Sequence, residues 1–179
     1  MTTVAIQGIR GSYSEEAAFT LLGQADLLEC GDFAETFASL EAGRAEFAVV
    51  PVENKIVGNI GGAVSILRAG HYRIIDKAAL KVDHILAGTP DAGLDQIETV
   101  RSHVEALRQC RRYLGTRRGW TQVIAADTAS GIRRVVMEGK AVNAAIGSRR
   151  AAEMYGAKVL AEDIADDLDN WTRFCLVSL

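Results

Sequence analysis

An α/β fold with largely parallel sheets is predicted for this 179-residue chain by two observations. Short β-rich runs alternate with segments of helical period along its whole length, and the helical segments carry their apolar residues on one face, as helices that cover a sheet must. Val4–Ile6 is the first strand, and it ends in a glycine loop, Gly8-Ile9-Arg10-Gly11, that opens a helix at Ser12. Phe47–Val50 is a buried-looking strand followed by the polar group Pro51-Val52-Glu53-Asn54-Lys55. Tyr72–Leu80 and Lys81–Ala87 read as extended segments that cross from one lobe to another, and Gly88–Gly93 is the most loop-like stretch of the middle. The strand Thr99–Arg101 leads into a helix whose apolar face is Leu107, Cys110 and Leu114. The strand Gln122–Ala125 precedes a helix opened by Asp127, and Ala144–Ile146 precedes one with Ala151, Ala152 and Tyr155 on a common side. Finally Asn170-Trp171-Thr172-Arg173 feeds the apolar run Phe174–Val177, which reads as a last strand docked into a sheet, although termini usually fray. A chain that leaves a lobe and returns to it predicts two lobes, about residues 1–75 with 165–179, and about residues 80–160. A hinged cleft between them is the expected ligand site, because α/β sheets place ligands at such switch points.

Composition narrows the classes of function. A hydrophobic content of 49% is enough for a sizeable core without staples. The net charge is −3, and Lys and Arg never run longer than the pairs at 111–112, 117–118, 133–134 and 149–150, so no continuous basic stripe for nucleic acid is expected. Cys30, Cys110 and Cys175 are odd in number and lie in or beside apolar segments, which predicts buried reduced thiols, with no disulfide and no zinc site. The first residues carry no basic leader, and no apolar stretch approaches the roughly 18 residues of a membrane span. The expectation is a soluble, cytoplasmic protein with a small-molecule partner.

Five segments hold side chains that suit a binding or catalytic site, and each also has a plain structural explanation. The glycine loop with Ser12 and Ser14 offers backbone N–H groups and hydroxyls to a carboxylate or phosphate, whereas Ser12 with Glu15 is equally a capping box. Glu53 and Asn54 stand at the end of a buried strand, where an ordinary turn with a solvated Glu53–Lys55 pair explains them almost as well. Ser102 and Gln109 fall on one helical face and are the cleft candidates of their segment, with Ser102 and Glu105 forming a capping box and His103 turned to the apolar side as a core histidine. Thr128 is placed to donate to an anion, while Asp127 as an N-cap is the simpler account of that turn. Thr172 and Arg173 set a hydroxyl beside a permanent cation, or are a β-branched strand residue and an edge charge. His71 and His84 lack metal-ligand spacing, so no metal site is expected.

Taken together the segments resemble the prephenate dehydratase family. The likeness runs through Gly8-x-x-Gly11-Ser12-Tyr13-Ser14-Glu15, Val50-Pro51-Val52-Glu53-Asn54, Ser102-His103 with Gln109-Cys110, Ala144-Ala145-Ile146 with Ala152-Glu153-x-Tyr155-Gly156, and Asn170-x-Thr172-Arg173-Phe174, in order and over essentially the whole chain. The resemblance implies two Rossmann-like lobes similar to type 2 periplasmic binding proteins. It implies conversion of prephenate to phenylpyruvate in phenylalanine synthesis, with no cofactor, in a homodimer or higher oligomer. It makes Thr172 the principal catalytic group and Asn54, Ser102 and Gln109 substrate contacts, with Ser12 and Ser14 lining the cleft.

The chemistry fits those residue types. Loss of carbon dioxide and of the ring hydroxyl leaves an aromatic ring, so the enzyme needs anchors and one donor to the departing oxygen. Thr172 is expected to direct a hydrogen bond or relay a proton there, Arg173 to grip a carboxylate in two-pronged fashion, and Phe174 to shape the pocket. The chain departs from the family pattern at Lys55, where a serine or threonine is usual, and at Val104-Glu105, which replaces Pro-Gln. It also stops where many relatives continue into a phenylalanine-binding ACT domain, so feedback through that domain is not expected. Arogenate dehydratase, a non-aromatising prephenate decarboxylase and a non-catalytic anion-binding module are the competing readings, and retention of Thr172 counts against the decarboxylase.

Overall fold

Val4, Ala5 and Ile6 are wholly buried with apolar neighbours on both sides, which is why Thr3–Gln7 (β1) forms the middle of a sheet instead of an edge. Ala5 packs with Phe37 and Leu40 on one face, and Val4 and Ile6 pack with Ala17 and Ala18 on the other. The computed structural model describes residues 2–179. It separates the chain into two units, one running to Val82 and resuming over Asp169–Leu179, the other Asp83–Leu168.

The first unit continues with α1 (Tyr13–Leu22), β2 (Asp26–Cys30), α2 (Phe33–Glu41), β3 (Phe47–Asn54), β4 (Gly58–Asn59), α3 (Gly61–Ala69) and β5 (Arg73–Lys81). The second unit holds β6 (Ile85–Gly88), β7 (Thr99–Ser102), α4 (Val104–Gln109), α5 (Arg111–Gly115), β8 (Thr121–Ile124), α6 (Thr128–Glu138), β9 (Asn143–Gly147), α7 (Arg149–Tyr155) and β10 (Lys158–Ala161). The chain then returns to the first unit as β11 (Trp171–Ser178). Phe37, on α2, fills the largest part of the core on its side of the first sheet, and its truncation to alanine would cost about 3–5 kcal/mol.

Strand order in the first sheet is β2-β1-β3-β11-β5, with β4 beside β3, and in the second β10-β6-β9-β7-β8. Both sheets are mixed, which corrects the expectation of largely parallel ones. β1 runs parallel to β2 and β3, whereas β11 is antiparallel to both β3 and β5. The physical reason lies in the return: β3 and β5 run parallel and are joined through α3, and β11, which re-enters from the other unit without a helical crossover, inserts antiparallel between them. In the second unit β7 is parallel to β8 and β9, and β6 is antiparallel to β9 and β10. Gly147 at the end of β9 admits close packing of α6, since a Cβ there would stand 2.6 Å from Ile132 Cδ1.

Three local expectations change. β3 does not stop at Val50 but carries Pro51–Asn54 within the strand, because β11 and β4 both pair with that stretch. The helix expected to present Leu107, Cys110 and Leu114 is two short helices that meet at Cys110, whose backbone (φ −112°, ψ 23°) is not helical. All three side chains still reach one core. The residue that caps α4 is His103, whose Nδ1 accepts from the Glu105 N–H at 3.2 Å, and it is half-buried instead of a core histidine.

Candidate active site

The pairing of β3 with β11 decides the geometry around Thr172. β3 carries one extra residue, Val52, between the pairs Pro51–Phe174 and Glu53–Arg173. Beyond this bulge Asn54 stands opposite Thr172, on the same face of the sheet. Asn54 Oδ1 accepts the backbone N–H groups of Ile56 and Val57, at 2.9 and 3.0 Å. Those two bonds fix which end of the amide is oxygen, so the nitrogen faces β11. Its two hydrogens are shared among Thr172 Oγ1 at 2.9 Å, Asn170 Oδ1 at 3.0 Å and the Trp171 carbonyl at 3.0 Å.

Thr172 is therefore an acceptor towards Asn54, and its own proton has no acceptor among the described residues. A hydroxyl whose oxygen is already hydrogen-bonded is polarised and donates more strongly. At 8% exposure, it is largely sheltered from solvent. The arrangement can present one directed O–H to an oxygen on which negative charge develops.

Arg173 and Phe174 are not gathered around this hydroxyl. Successive strand residues face opposite sides, so Arg173 lies on the far face of β11 from Thr172. There it pairs with Glu53 and stacks on Trp171, 5.3 Å from the ring centroid. Phe174, expected to shape the pocket, is 2% exposed and packs with Val4, Ile6 and Val49 in the core. Lys55 does not pair with Glu53 as a solvated turn would have it; its Nζ donates to the carbonyl and carboxylate of Asp169, at 2.6 and 2.8 Å.

The glycine loop is occupied by the protein itself. Gly8 N–H donates to the Cys30 carbonyl, Arg10 N–H to Glu29 Oε1, Gly11 N–H to Glu15 Oε2 and Ser12 N–H to the Ile9 carbonyl. Ser12 Oγ accepts from the Glu15 N–H at 3.3 Å. Ser12 thus caps α1, but the reciprocal half of the expected capping box is not formed, since Glu15 takes the Gly11 N–H and not that of Ser12; the free N–H cradle expected for an anion is absent at these four positions. Ser14 is buried in the first turn of α1.

In the second unit, Ser102 is fully buried and its hydroxyl donates to the Ile146 carbonyl at 2.7 Å, tying the ends of β7 and β9. Gln109 Oε1 meets His84 Nε2 at 2.7 Å. Because an amide oxygen can only accept, the imidazole carries its proton on Nε2, and Nδ1 is left buried with no partner. Burial pushes the His84 pKa below 6.5, against the opposing effects of the Gln109 bond and the Asp83 charge. Thr128 is the first residue of α6, after an Asp127 cap that accepts from the Ser130 N–H at 2.7 Å.

Asn170 was not among the expected site residues. It is 1% exposed and takes a hydrogen of the Asn54 amide. The signal was present in its spacing: two residues before Thr172, it shares the face of that hydroxyl. Among the described residues no group of three or more His, Cys, Asp or Glu is placed to hold a metal ion. No helix of the described residues is long and apolar enough to cross a membrane.

Comparison with known proteins gives the chain its relatives. Residues 4–179 match the family model described as prephenate dehydratase. The chain is 36% identical over 175 residues to arogenate dehydratase/prephenate dehydratase 1, chloroplastic, of Arabidopsis thaliana, covering 98% of this chain and 44% of that one. It therefore spans about half the length of the curated relatives it matches. It superimposes on the prephenate dehydratase of Arthrobacter aurescens, solved in complex with L-Phe, with TM-score 0.89 and 30% identity over 99% of this chain and 60% of that chain. A structure described as a novel type of quorum quenching acylase, GqqA, aligns with TM-score 0.85 and 31% identity, over 98% of this chain and 63% of that one.

Proposed function

We propose, from the premise that this chain belongs to the prephenate dehydratase family, that it converts prephenate to phenylpyruvate by decarboxylative dehydration. The observation that carries the reading is the Asn54 amide, locked by two backbone N–H groups and holding Thr172 Oγ1 so that the hydroxyl proton is left for a ligand.

In the reaction the bond from the ring to its carboxylate breaks and carbon dioxide leaves. The electron pair moves through the ring, the bond from carbon to the ring hydroxyl breaks, and that oxygen takes up a proton from solvent and departs as water. Thr172 is the catalytic donor to the departing oxygen. A threonine hydroxyl is too weak an acid to protonate freely, so its contribution is a hydrogen bond that strengthens as negative charge develops. Asn54 and Asn170 position it. Ser14 is the remaining side chain of the same unit that we assign to the substrate. Arogenate, the aminated analogue, is the second reading, favoured by the double name of the Arabidopsis relative. Three buried reduced thiols suit a reducing compartment, and we place the protein in the cytoplasm as a homo-oligomer.

The test is incubation of the purified chain with prephenate and, separately, with arogenate, followed by ultraviolet detection of an aromatic product. Phenylpyruvate from prephenate is expected. Loss of carbon dioxide without aromatisation would assign a decarboxylase, and consumption of neither compound would remove the enzymatic reading altogether.

A further inference from the structure

The second unit carries a groove of about 550 Å³ that is far from neutral. Between Val104 and Ile124 the sequence has five arginines against one acidic residue, in a chain whose net charge is −3. Four of them, Arg108, Arg111, Arg117 and Arg118, line the groove. Leu107, Leu114 and Trp120 also line it and supply an apolar wall.

These arginines differ from the others that occur in pairs. At 133–134 and 149–150 one member of each pair holds a carboxylate, as Arg134 does with Glu138 and Arg149 with Glu162. Among the described residues the guanidinium groups of Arg111, Arg112, Arg117 and Arg118 have no carboxylate partner, and only that of Arg108 in the groove has one, Glu105 at 2.7 Å. Uncompensated like charges gathered in one concavity repel one another, and a bound anion relieves that repulsion.

Arg117 is held ready. Its guanidinium lies 5.5 Å from the ring centroids of both Tyr113 and Trp120, so the planar fork is clamped by stacking. Its Nε and the Tyr113 Oη are both buried without a hydrogen-bond partner. That cost is borne at a place where the ordered guanidinium loses little further entropy on binding.

We propose that this groove is a binding site for a nucleotide-class anion: a small phosphorylated molecule bearing a flat ring. Guanidinium forks match phosphate oxygens two at a time, and a ring finds the Trp120 face and the leucine wall beside them. The volume is that of a small-molecule site, which argues against a long polyanion. A second copy of the groove would bring like charge against like charge.

The experiment is calorimetric titration of the whole chain with ADP, with pyrophosphate as the charge without the ring. Saturable ADP binding is expected, tighter than pyrophosphate and weaker at higher salt. The double substitution Arg111→Gln with Arg118→Gln touches only exposed side chains, and it should weaken ADP binding by about tenfold or more, the effect of losing hydrogen bonds to a charged group. Thr172→Ala should leave ADP affinity unchanged. Absence of saturable ADP binding, equal affinity for pyrophosphate, no response to the arginine substitutions, or loss of ADP binding in Thr172→Ala would each overturn the proposal.

Discussion

Arg173 stands in register with Glu53 across β3 and β11, one step along from Asn54 and Thr172, and pairs with it on the opposite face of the sheet. Two functions that the sequence places side by side are thereby separated. The hydroxyl points to one side of the sheet end and the guanidinium is engaged by a carboxylate on the other.

The Glu53–Arg173 pair is part-exposed, so its contribution to stability should be about 1 kcal/mol or less. If the two act as a unit that holds the end of β11, Glu53→Gln and Arg173→Gln lower kcat/KM similarly, and the double variant is no worse than the poorer single one. Additive losses in that cycle would give Arg173 a separate contact with substrate.

Thr172→Ala should lower kcat by about 10²- to 10⁴-fold with KM nearly unchanged, the range for lost proton-transfer assistance. Steady-state kinetics with prephenate reads this directly. Turnover equal to that of the parent protein would show that the hydroxyl is not the donor.

Asn54→Asp is a sharper test, because it keeps an oxygen for the Ile56 and Val57 N–H groups while replacing the amide donor. The carboxylate oxygen would then accept the Thr172 proton and reverse the hydroxyl. The expected outcome is a fall in kcat approaching that of Thr172→Ala, together with a lower melting temperature, because the Asn170 and Trp171 oxygens then lose their donor and face a buried carboxylate. A variant that keeps full activity would exclude a positioning role for this amide. Asn170→Ala should move kcat in the same direction by less, since the Asn54 bonds to Ile56 and Val57 remain.

Acid should destabilise the fold in two steps. The folded His84 has a lowered pKa, so below 6.5 the unfolded chain binds a proton that the folded one resists. Its contribution is complete above 6.5 and is lost as pH falls below that value. Glu138, whose pKa is depressed chiefly by its bond from Arg134, contributes fully above 4.5 and loses that contribution at lower pH. Melting curves between pH ~7 and ~5 should slope downward towards acid, and His84→Gln should flatten that limb while leaving the lower one. An unchanged slope in the variant would count against the buried neutral imidazole.

The three thiols should be silent in the native protein. Burial pushes Cys110 up to about 12, with the Asp166 charge adding to it, and raises Cys175 as well, while Cys30 is also buried. An aromatic disulfide reagent near pH ~8 should titrate none of them until denaturant is added, and then all three.

Much of this protein is legible in its sequence, because local chemistry acts through neighbours in the chain. Alternating apolar runs identify β1, β7, β8 and β9 to within a residue or so, and Asp127 marks the start of α6. The Asn-x-Thr-Arg-Phe segment identifies the strand that carries Thr172. What the sequence could not settle depends on partners far away along the chain. Whether Pro51–Asn54 is turn or strand is decided by β11, more than 110 residues later, and the bulge at Val52 is what brings Asn54 opposite Thr172. The face on which Arg173 lies, the occupation of the glycine-loop N–H groups by Glu15 and Glu29, and the gathering of Arg108, Arg111, Arg117 and Arg118 into one groove have the same origin. Periodicity states which residues share a face, but only tertiary pairing selects the register and the partner, since hydrogen bonds and charges act through space and not along the chain.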